Sequence, residues 1–84
     1  MPESIIFQID KEGKRIGETK WTGYIRREAE DFLVVHITDK KGQTVQLKKG
    51  DMIHFNHFDV TLDAEFEIEE VIQPGFYKIK SINS

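Results

Sequence analysis

The chain has 84 residues, a net charge of −3, ordinary apolar and charged fractions, and no cysteine. This composition argues against global disorder and excludes disulfide scaffolds, thiolate metal sites and cysteine nucleophiles. The net negative charge disfavours a broad basic face for a nucleic-acid backbone, and no apolar run approaches the roughly 20 residues that span a bilayer.

Apolar residues recur with period two along nearly the whole chain, which argues for strands. Ile5, Phe7 and Ile9 alternate with Ile6, Gln8 and Asp10. The stretch from Asp10 to Lys14, DKEGK, is predicted to turn, with Gly13 at a left-handed position. A second extended stretch is expected from Ile16 to Arg27, with Trp21, Gly23 and Ile25 on one face. A glycine inside a strand marks a kink or a close backbone approach.

Glu28-Ala29-Glu30 has local helix preference but is too short to nucleate a helix, so a wide turn is expected there. Asp31 to Thr38, DFLVVHIT, is apolar on both parities, the pattern of a strand covered on both sides. DKKG (Asp39 to Gly42) and KKGD (Lys48 to Asp51) read as turns flanking a strand that carries Val45 and Leu47. In MIHFNHFD, Met52 to Asp59, both Phe55 and Phe58 should face the core although their parities differ. A β-bulge at Asn56-His57 would make that switch.

From Phe58 to Glu69 one parity is apolar and the other polar and mostly acidic, which sets the register strongly. Gln73-Pro74-Gly75 fits a type II turn, and the return strand holds Phe76 to Ile82. A hairpin is therefore expected over about 59–82. Lys78 and Lys80 would return close to Glu67 and Glu69, while Asp59, Asp63 and Glu65 would remain unpaired by this hairpin, and the acidic row reads as a solvated face.

These elements predict one all-β domain over 1–84: a small antiparallel barrel of about six or seven strands with essentially no helix. The order of a strand with Gly23-Tyr24, a two-sided strand, the DKKG turn, a strand, KKGD and a further strand resembles the layout of SH3-like and Sm-like barrels. An OB-like barrel is the alternative, but it usually carries a helix between its third and fourth strands. Sm-like barrels commonly form rings and SH3-like ones do not, which leaves the oligomeric state open. The N-terminus, MPESIIFQID, lacks a basic segment followed by an apolar core, so a cytoplasmic location is expected.

Three features compete for a functional role. Tyr24 shares a parity with Lys20, Thr22 and Arg26, and Arg27 adjoins them; this is the best candidate binding patch. His54, His57 and Asp59 form an outside candidate for a metal site if the bulge turns them to one face. Two solvent-facing histidines beside a bulge explain the same residues without a metal, so none is expected. His36 reads as a partly buried residue with one hydrogen bond. The serines lie near the termini, and there is no phosphate loop, so neither an enzyme nor a cofactor is expected.

The favoured function is a small non-enzymatic protein-interaction module that binds through an exposed strand edge or the Tyr24/Arg26 face. The alternative is a single-stranded RNA or DNA binder using Tyr24, Arg26 and the turn lysines.

Overall fold

A computed structural model describes residues 4–17, 20–57 and 62–82. It contains six antiparallel strands: β1 (Ser4–Ile9), β2 (Thr22–Ala29), β3 (Phe32–Thr38), β4 (Met52–His57), β5 (Leu62–Gln73) and β6 (Phe76–Ser81). They form one sheet in the order β1-β4-β5-β6-β3-β2. The sheet curls into a half-barrel, drawn together at one end where Ile6 and Trp21 exchange backbone hydrogen bonds of 2.9 and 2.8 Å. No helix among the described residues is long and apolar enough to cross a membrane.

Period-two patterning decides which side chains enter the core. Ile6, Val35, Ile37, Ile53, Phe55, Phe66, Ile68, Tyr77 and Ile79 pack together inside the curl, with Trp21, Ile25 and Leu33 against them. The turns share one design. Asp10 Oδ1 accepts from the N–H groups of Glu12 and Lys14, and Asp39 Oδ1 accepts from those of Lys41 and Gln43. Such Asx turns let a short polar side chain stand in for a backbone acceptor. In the β5–β6 turn, Gly75 has φ 87°, the left-handed value required at the third position of a type II turn.

Several expectations are corrected. The stretch from Ile16 is not one strand: Arg15 bridges to Ile9, and β2 begins only at Thr22. Glu28 and Ala29 belong to β2, and the turn is confined to Glu30-Asp31. The register shift between Arg27 and Ala29 absorbs the irregularity that the sequence suggested there. Val45 and Leu47 lie in no strand. Their segment is pinned by the buried Tyr77 hydroxyl, which donates to the Val45 carbonyl and accepts from Leu47 N–H at 2.8 Å and Gly75 N–H at 3.3 Å.

The register of β4 runs without a break through Asn56 and His57, against both β1 and β5. There is no bulge at that place. The chain reverses between His57 and Leu62, and a reversal lets the inward parity reset without one. Phe58 and Asp59 lie outside the described residues. The register shifts of β5 fall instead at Ile68/Glu70 and Val71/Gln73, beside the Glu69-Glu70 pair.

Candidate binding edge and outer face

β2 ends the sheet, and its ladder fixes what its free side shows. Ile37 N–H donates to the Gly75 carbonyl, so the odd residues of β3 bond toward β6 and the even ones toward β2. On β2 the even residues Thr22, Tyr24 and Arg26 face Thr38, His36 and Val34 in that ladder. Alternation then turns the N–H and C=O groups of Gly23, Ile25 and Arg27 outward. Trp21, on the same parity, uses its outward groups on Ile6. Beyond Trp21, no described residue pairs with that edge.

Gly23 is required by close approach. A Cβ there would lie 2.0 Å from the His36 carbonyl oxygen and 3.0 Å from Ile6 Cδ1. The absence of a side chain lets the start of β2 press onto β3 beneath the Ile6 bridge.

The outer face of β2, β3 and β6 carries a row of rings. Tyr24, 52% exposed, meets His36 edge-on at 5.4 Å, and His36 stacks on Phe76 at 4.2 Å with planes 11° apart. Next to this row, Phe32, Val34, Ile72 and Phe76, with Arg26 and Glu28, line an open groove of about 390 Å³. Val34 is only 7% exposed although no described secondary-structure element lies over it; it sits among the side chains that line this groove. The expectation that β3 is covered on both sides is therefore met by elements on one side only.

The five candidate binding residues divide. Thr22, Tyr24 and Arg26 share the outer face. Thr22 and Thr38 bring their hydroxyls to 3.4 Å, and Arg26 Nε donates to Glu28 Oε1 at 2.6 Å. Lys20 lines a hollow of about 300 Å³ with Trp21, Asp39, Lys40, Lys41 and Gln43. Arg27 lies on the opposite parity, where its Nη1 donates to the Glu30 carbonyl at 2.5 Å and ties the β2–β3 turn. The juxtaposition of Lys40 and Lys41 with Lys20 depends on the register Thr22↔Thr38, which no local sequence pattern discloses. The two-sided apolar pattern of β3 was the signal for the groove.

The other histidine region is built differently. On the outer side of β1, β4 and β5, Arg15 lies over the Phe7 ring at 4.7 Å, and Phe7 stacks on His54 at 4.8 Å. His54 Nδ1 lies 3.8 Å from Glu65 Oε2. These contacts follow from the cross-strand register Phe7↔His54↔Glu65. Among the described residues, no group of three or more His, Asp or Glu could hold a metal ion. The His57 side chain and Asp59 lie outside them, so the trio His54, His57 and Asp59 is not assembled among the described residues.

No family model, curated protein or solved structure matches the chain.

Proposed function

We propose that the protein is a non-enzymatic interaction module of SH3-like layout that acts in the cytoplasm and takes an extended segment of a protein partner as a further strand on β2. The observation that carries this reading is the β2 edge, which no described residue pairs with beyond Trp21, with the outward backbone groups of Gly23, Ile25 and Arg27 beside the exposed Tyr24. Backbone hydrogen bonds supply affinity in strand addition, and side chains alternating along the edge supply selectivity.

The ring geometry weighs against the nucleic-acid alternative. Base stacking needs ring faces open to solvent. His36 and Phe76 turn their faces to each other, and Tyr24 alone is left largely exposed. Arg26 is already engaged by Glu28.

Ile25→Pro tests the reading. It removes an outward donor at an edge position, where proline leaves the β2–β3 ladder intact. Affinity for a short alternating Val/Thr peptide should fall roughly five-fold or more, through the lost hydrogen bond and the intruding ring. Spectra of the variant should keep the β3 and β6 signals in place. Unchanged affinity in a folded variant would refute the edge as the site.

A further inference from the structure

Strand addition on β2 leaves the outer face of β2, β3, β6 and β5 uncovered, and that face has the make-up of an interface. We infer that it packs on the same face of a second copy of this chain, as a two-fold dimer.

Two cross-strand rows build the face. Tyr24, His36, Phe76 and Gln73 lie side by side in register, and so do Arg26, Val34, Lys78 and Glu70. The groove crosses the same strands. Phe32, Val34 and Phe76 hold its middle, with Arg26 and Glu28 on the β2 side and Ile72 and Gln73 on the β5 side. Ile72 is 45% exposed. An apolar middle with polar flanks is the anatomy of a protein interface.

The charges decide the partner. A two-fold axis along the strands, between β3 and β6, sets β2 of each copy over β5 of the other and β3 over β6. Arg26 then faces Glu70 of the second copy, once on each side of the axis. Within one chain these residues stand three strand spacings apart, about 14 Å, and do not meet. Glu70 is exposed and has no ion-pair partner among the described residues. Arg26 uses Nε and Nη2 on one oxygen of Glu28, which leaves guanidinium donors for a second carboxylate. In the other row, His36 of each copy lies over Phe76 of the other. With Arg26 and Lys78 among Glu28, Glu69 and Glu70, a uniformly charged partner would meet repulsion as well as attraction, whereas a second copy meets its complement.

The outward backbone groups of β2 point sideways, clear of this contact, so the dimer stands or falls apart from strand addition. Sedimentation equilibrium of the full chain, from about 1 µM to about 1 mM, should show a reversible monomer–dimer equilibrium. Arg26→Glu alone and Glu70→Arg alone each create two like-charge contacts in the homodimer and should weaken it roughly five-fold or more. Mixed in equal amounts, the two variants form a heterodimer in which both contacts are again between opposite charges. Association should then return to near the wild-type strength, a rescue that requires the two residues to sit on different copies. Ile72→Asp should weaken association roughly ten-fold or more in every mixture. Dispersed amide spectra check that each variant is folded. A wild-type chain that stays monomeric across the range would overturn the inference. So would a dimer that neither reversal weakens, or one that mixing fails to restore.

Discussion

Tyr77 shows how one residue can fix a segment that has no secondary structure of its own. Its ring lies in the core with no exposed surface, and its hydroxyl serves Val45, Leu47 and Gly75 at once. Tyr77→Phe keeps the ring and strands the Val45 carbonyl and the Leu47 N–H. Stability to urea should fall by about 1–3 kcal/mol, with faster amide exchange across residues 45–48. Gly23 is constrained in the opposite sense, by what cannot be added. Gly23→Ala should destabilise by about 1–3 kcal/mol or more, because the clash is with backbone that cannot swing aside. Equilibrium unfolding of the variant checks this; a loss under about 0.5 kcal/mol would mean that the β2–β3 contact is looser than described. A close approach at Gly23 was legible in the sequence, since a glycine interrupts an otherwise apolar parity. The Tyr77 hub was not, because its partners Leu47 and Val45 lie 30 and 32 residues away and neither bonds through its side chain.

At the scale of elements, β5 and β6 display what an alternating sequence can and cannot disclose. The core parity Ala64, Phe66 and Ile68 and the return of Lys78 and Lys80 beside the acidic row follow from alternation and the Pro74-Gly75 turn. The register shifts near Glu70 and Gln73 do not, because a bulge is set by how strongly the sheet must coil to close. The same limit explains the bulge expected at Asn56-His57. One strand that changes parity and two strands joined by a short reversal give the same apolar pattern, and only the pairing distinguishes them. Lys78 joins two of these elements, through Glu69 on β5 and the Phe32 ring of β3. Lys78→Glu removes both contacts and sets a carboxylate opposite Glu70 in the register. Thermal unfolding should show a loss of about 0.5–1.5 kcal/mol that shrinks in high salt. A salt-independent loss would point to packing rather than charge.

For the whole molecule, the decisive fact is that the sheet curls without fully closing. β1 is covered on its second side by the bridges of Ile6 to Trp21 and Ile9 to Arg15, whereas β2 beyond Trp21 has no pairing partner among the described residues. The sequence announced an all-β fold with two-sided β3, but not which strand would be left at the edge. That depends on the long-range order β1-β4-β5-β6-β3-β2. In the free protein, exchange should be fast at Ile25 and slow at its neighbours Tyr24 and Arg26, which bond to β3. Native-state amide exchange reads this directly, and an Ile25 amide as protected as that of Val35 would mean the edge is already occupied.

Strand addition on β2 is tested most directly by nuclear Overhauser contacts between a bound alternating Val/Thr peptide and the protein backbone. With the odd residues of β2 bonding outward, the Hα atoms of Tyr24 and Arg26 point to the incoming strand. The expected result is contacts from those two Hα atoms to the peptide backbone, together with protection of the Ile25 amide. Contacts confined to the side chains of Phe32, Ile72 and Phe76, with Ile25 still exchanging freely, would place the ligand on the outer face and contradict the edge.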